Sequence, residues 1–99
     1  MNMTTEEIDI ALNDLDWSVR CNAAQQENIT IEQLNIALND PDWSVREAAI
    51  NSPNATLDQV NKGLFDKDYR VRFAAMRNPL ITKEDIIKSL DTYVYKYLQ

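Results

Sequence analysis

The chain has 99 residues, room for one compact domain or a short stack of repeated units, and its 44% hydrophobic and 26% charged content is that of a folded protein. It has no histidine, one cysteine (Cys21) and one glycine (Gly63), which removes a histidine base or metal ligand, an intrachain disulfide or thiolate cluster, and a glycine-rich phosphate loop. A net charge of −6 disfavours a nucleic-acid backbone as partner of the whole molecule, no apolar run approaches the roughly 20 residues that span a bilayer, and the first ten residues lack the basic-then-apolar plan of a signal peptide, so the expected location is the cytoplasm.

Along the chain one spacing dominates: a period of 26 residues. Trp17, Trp43 and Tyr69 keep it, as do Val19, Val45 and Val71, Arg20, Arg46 and Arg72, and Ala23, Ala49 and Ala75. Thr4, Thr30, Thr56 and Thr82, with Leu12, Leu38, Leu64 and Leu90, carry it into a fourth, truncated unit. The expected organisation is a single repeat domain over 1–99, with units at about 4–29, 30–55, 56–81 and 82–99.

Each unit reads as two short helices. Thr4, Thr30 and Thr56 are followed three residues later by Glu7, Gln33 and Gln59, the capping-box arrangement; Thr82 has the shorter Asp85 there. Behind each cap an apolar stripe at i, i+3, i+4 (Ile8, Ala11, Leu12 and its repeats) predicts a helix of about ten residues. An acidic turn follows, in which Asp40 before Pro41 reads as an N-cap with proline at the first helical position. The second helix carries Val19 and Ala23, and their repeats, inward. It should end near Asn51–Asn54 and Arg77–Pro79, because proline disfavours helix in the residue before it. After Leu90 the pattern breaks into Tyr93, Tyr95 and Tyr97; a helical cap is favoured over a lone strand, which would need pairing from another chain. The fold class is all-α: a short α-solenoid of two-helix units, three and a truncated fourth.

The run Asp40–Ala49 followed by Asn51–Thr56 resembles the variant leucine-rich repeat and the broader HEAT-like class. The resemblance implies a helical superhelix that binds proteins, with the second helix of each unit lining the concave surface. An iron–sulfur cluster found in one variant leucine-rich repeat protein does not carry over, because Cys21 stands alone. Stand-alone chains of this length also resemble the lysis-inhibition accessory proteins of T-even-like phages. That resemblance implies a cytoplasmic segment of a holin or antiholin as partner, in the cytoplasm of the infected host.

Arg20, Arg46 and Arg72 form a ladder that suits phosphate, but guanidinium groups one turn from an acidic loop are better explained as links to Asp14, Asp16 and their repeats, holding unit against unit. Trp17, Trp43 and Tyr69 read as a packing column between units. The acidic turns lack the glycine and distal glutamate of a calcium loop. Cys21 reads as a plain surface residue. No cofactor, metal or catalytic residue is expected, and no enzymatic activity.

Function is sought where the units differ. On the second helices the outward positions are Ser18, Cys21 and Gln25, then Ser44, Glu47 and Asn51, then Arg70, Phe73 and Arg77. Two arginines flanking a phenylalanine match the composition of interface hot spots. Charge is uneven too: residues 1–52 hold 10 acids against 2 bases, a balance of −8, and residues 53–99 hold 8 bases against 6 acids, a balance of +2. The sequence therefore points to a non-enzymatic protein-interaction module. Its candidate contacts are Arg70, Phe73, Arg77, Glu47, Ser44 and Asn51, with Phe73 as apolar anchor and Arg70 and Arg77 as charge guides. The alternatives are a phage inhibitor of a host defence protein, a self-assembling adaptor with Tyr93, Tyr95 and Tyr97 as a contact between copies, and, third, a nucleic-acid binder.

Overall fold

The computed structural model describes residues 2–98, with side chains up to Thr92. Seven helices follow one another, and no strand occurs among the described residues: α1 (Thr5–Ala11), α2 (Trp17–Ala24), α3 (Ile31–Leu38), α4 (Trp43–Ile50), α5 (Leu57–Gly63), α6 (Tyr69–Arg77) and α7 (Lys83–Leu98). They form a short helical-repeat solenoid with principal extents of 46 × 25 × 17 Å.

The threonine caps fold as the sequence predicts. In α1, α3 and α5 the threonine hydroxyl accepts from the backbone N–H of Glu7, Gln33 or Gln59, and that residue's side chain accepts from the threonine N–H. Thr82 and Asp85 make the same exchange at 3.0 and 3.1 Å. The helices behind the first three caps run only seven or eight residues, shorter than the ten expected, because the acidic turns intervene early.

Those turns assign the aspartates differently from the sequence reading. Asp42, not Asp40, is the N-cap of α4 and accepts from the Ser44 N–H; Asp16 and Asp68 do the same for α2 and α6. Asp40 lies two residues earlier, where its Oδ1 accepts from the Asp42 N–H, as Asp14 and Asp66 do in their turns. Its side chain is thereby set to receive an arginine from the preceding unit.

Apolar packing runs unbroken along the stack through Ile8, Leu34, Val45, Ile50, Val60 and Val71, all fully buried. Alanines at 23, 24, 48, 49, 74 and 75 are buried too, and α2, α4 and α6 pack directly on one another across these small side chains. The first helices, α1, α3 and α5, stand further apart.

Polar links repeat with the same period. The Arg20 guanidinium donates to both oxygens of Asp40 (2.7 and 3.2 Å) and to the Asp14 carbonyl (2.8 Å). Arg46 repeats this with Asp66 (2.9 and 3.2 Å) and the Asp40 carbonyl (2.7 Å). The arginine thus binds the backbone of its own unit and the carboxylate of the next, rather than its own acidic side chains. The amides of Gln33 and Gln59 each donate to a carbonyl and a side chain of the preceding unit. Asn54 donates to the carbonyls of Glu27 and Ile29.

The last unit is built differently. Asp85, which has no donor when ionised, stands where Gln59 stood, and Thr92 where Asp66 stood; at the end of the third unit Leu80 stands where Asn54 stood. Helix α7 runs on through Leu90 to Leu98 with no turn, so the tail is helical, as favoured from the sequence. The tyrosine side chains at 93, 95 and 97, named as a contact between copies, lie outside the described residues.

Candidate interaction surface

The N-cap aspartates fix where each second helix begins, and so which side chains stand outward at i, i+4, i+8: Trp17, Cys21 and Gln25 on α2, Trp43, Glu47 and Asn51 on α4, Tyr69, Phe73 and Arg77 on α6. The first member of each set is the aromatic residue that the sequence assigned to packing between units. The structure corrects that assignment: Trp17 is 52% exposed and Tyr69 56%, and only Trp43 is partly covered. The i+4 relation to Phe73 was the signal that could have placed them on the surface.

On α6 the rings of Tyr69 and Phe73 meet edge to face, with centroids 5.9 Å apart at 84°. Phe73 is 53% exposed, and Arg77, exposed in the last turn, makes no ion pair or hydrogen bond among the described residues. Arg70, predicted to be a charge guide, is instead held in place. Its Nε and Nη2 donate to the two oxygens of Asp68 at 3.0 and 2.8 Å, and its guanidinium lies 3.7 Å from the centroid of the Trp43 ring. The same Arg70 hydrogen bonds pull the Asp68 carboxyl down to about 2.

On α4, Ser44 and Glu47 are half-buried and Asn51 is exposed as the C-cap. Both the N–H and the hydroxyl of Ser44 donate to Asp42 Oδ1, which lowers the Asp42 pKa. Cys21 is half-buried, with its Sγ 3.7 Å from the Ser44 carbonyl oxygen; burial, followed by the nearby Asp42 and Glu47 charges, pushes its thiol up. Together these place Phe73, Arg77 and Asn51 at the surface of one face, with Ser44 and Glu47 at its floor and Arg70 drawn down onto Trp43.

The arginine ladder is spent on structure, since Arg20 and Arg46 are paired between units and Arg72 donates to the Asp66 carbonyl at 2.7 Å. Among the described residues no group of three or more His, Cys, Asp or Glu is placed to hold a metal ion, and no helix is long and apolar enough to cross a membrane.

The HEAT repeat family model matches residues 31–52, which contain the α3–α4 pair. Repeats of this kind generally mediate protein–protein interaction, and proteins built from them are typically non-enzymatic scaffolds. No curated protein and no solved structure matches the chain, so the resemblance to phage lysis-inhibition proteins gains no support from these comparisons.

Proposed function

We propose that this chain is a non-enzymatic protein-binding module that receives a segment of a partner protein on the outward face of α2, α4 and α6. The observation that carries the reading is the unburied pair Tyr69–Phe73 beside the uncommitted Arg77. Half-exposed rings add little to the solenoid core, whereas aromatic and arginine side chains set together are what interface hot spots contain. The closer packing of α2, α4 and α6 than of α1, α3 and α5 supports a stack that bends toward the second helices, so that this face is the inner one. Phe73 and Tyr69 serve as the apolar anchor, Arg77 steers an acidic group of the partner, and Arg70 shapes the floor by covering Trp43. The sequence resemblance nominates a holin or antiholin segment as occupant, with a host defence protein second.

The test is capture from a host lysate by the wild type and by a Phe73→Ala/Arg77→Ala variant, with retained proteins identified by mass. A protein held by the wild type and lost by the variant, with the helical spectrum intact, is expected. Equal retention by both, or nothing retained by either, overturns the reading.

A further inference from the structure

Successive units present the same outward position in two states. Arg70 reaches back from the third unit onto the Trp43 ring of the second, anchored by both oxygens of Asp68. One period earlier the corresponding residues are Trp17, Asp42 and, in place of Arg70, Ser44. The register is the same there, since the Ser44 backbone lies against Cys21 of α2. Serine is too short to cover an indole ring, and Trp17 is left 52% exposed. Asp42 uses Oδ1 for the Ser44 N–H and hydroxyl, while its Oδ2 accepts no hydrogen bond among the described residues.

We propose that the Trp17 ring and the Asp42 carboxylate form a seat for an arginine side chain in a basic segment of the partner protein, which takes in trans the place that Arg70 takes in cis on Trp43 and Asp68. The proposal rests on the docking face argued above and gives it a direction. Arginine fits better than lysine because its planar guanidinium stacks on a ring while its fork bonds a carboxylate. Charge agrees: the first 52 residues carry a balance of −8, Asp16 caps α2 directly before Trp17, and the charges of Asp42 and Glu47 both act on Cys21 of the same helix. A bound segment would lay its arginine at the α2 end and an apolar residue on Tyr69 and Phe73 at the α6 end.

The seat can be read without the partner. The probe is the tripeptide acetyl-Gly-Arg-Gly-amide, titrated into the full chain while the Trp17 indole N–H is followed by NMR. The expected result is a saturable shift at roughly millimolar peptide, as a single exposed cation–ring contact with one carboxylate allows. The lysine counterpart should need several-fold more. Asp42→Asn should weaken the arginine response several-fold, and Ser44→Arg should abolish it by filling the seat from within and protecting the Trp17 ring. No shift at Trp17 in the wild type, or an equal shift in Ser44→Arg, overturns the proposal. A wild-type mass that rises with concentration and becomes constant in Ser44→Arg also overturns it, because the guanidinium would then come from a second copy. The titration does not involve Phe73 or Arg77, so its failure leaves the docking face to be judged by capture, and a working seat does not rescue that reading if capture ignores Phe73.

Discussion

A Cβ built on Gly63 would stand 2.7 Å from Ile50 Cδ1 and 3.0 Å from Ala75 Cβ, so the glycine and the isoleucine are two halves of one packing solution. By the 26-residue register Ile50 occupies the place of Ala24, and Gly63 that of Ala37. Volume gained on α4 has been given up on α5, and the helices keep their approach. Ile50 is fully buried, so its terminal methyl has little room to retreat.

Gly63→Ala should therefore destabilise despite the better helix former. Overpacking costs about 1–3 kcal/mol against a propensity gain of about 1 kcal/mol, for an expected net loss near 1 kcal/mol. In an Ile50→Val background, which removes the clashing methyl, the same change should cost less, with the 3.0 Å approach to Ala75 Cβ remaining. Urea denaturation of the four proteins checks this; an equal cost in both backgrounds would show that Ile50 is not the obstacle.

Arg46 is only 5% exposed, and it ties the Asp40 carbonyl to both oxygens of Asp66. Arg46→Ala should cost about 3–5 kcal/mol, because it strands a largely buried carboxylate as well as losing its own bonds. Lysine keeps the charge but not the fork, so Arg46→Lys should recover only part of the loss. Thermal and urea midpoints order the three proteins, and a lysine variant equal to wild type would show that charge alone suffices.

Gln59 accepts from the Thr56 N–H with Oε1 while its Nε2 donates to the Ile31 carbonyl and Asn35 Oδ1, both at 2.9 Å. Glutamate would keep the cap, as Glu7 does for Thr4, and lose both donated bonds. Gln59→Glu is expected to cost about 1–3 kcal/mol by setting a buried acceptor against acceptors. Glu7→Gln, whose side chain only caps Thr4 among the described residues, should be near neutral by the same urea measurement.

The Asp68 pKa of about 2 predicts acid sensitivity at the α6 face. A carboxyl depressed in the folded state contributes stability above its ordinary value near 3.8 and loses that contribution as pH falls toward 2. Asp16, Asp42 and Asp85 are shifted in the same direction, chiefly by hydrogen bonds from Ser18, Ser44 and Thr82. The thermal midpoint should thus drop steadily between about pH 4 and pH 2. In Asp68→Asn the drop should be shallower, and the Trp43 emission should already resemble the uncovered state at neutral pH. A Trp43 signal unchanged in that variant would show that Arg70 stays on the ring without its anchor.

Much of this architecture was legible in the residues themselves. The period of 26, the threonine caps with Glu or Gln three residues later, and the prolines at 53 and 79 fix helix starts and stops, because capping and chain breaking are local effects. The inward alanines and valines likewise announced the core. Legibility stopped where two residues compete for one role. Asp40 and Asp42 both qualify as caps, and only the position of Arg20 in the preceding unit shows that Asp40 serves the interface between units.

The outward face marks the same boundary. Spacing alone put Phe73 and Arg77 outside the core, since helical periodicity is a property of a single segment. Whether Trp17, Trp43 and Tyr69 lay inside or outside depended on how tightly the second helices stack, and that was settled by small alanines at the contact. The ionic state of Arg70 was equally invisible: its carboxylate is two residues away, but its ring comes from another unit. The sequence by itself determined which helices form and which aliphatic stripe they turn inward, because those choices follow from local hydrogen bonding and hydrophobic period. The tertiary structure alone decided which arginine is spent and which aromatic is left uncovered, because both depend on what the neighbouring unit places opposite.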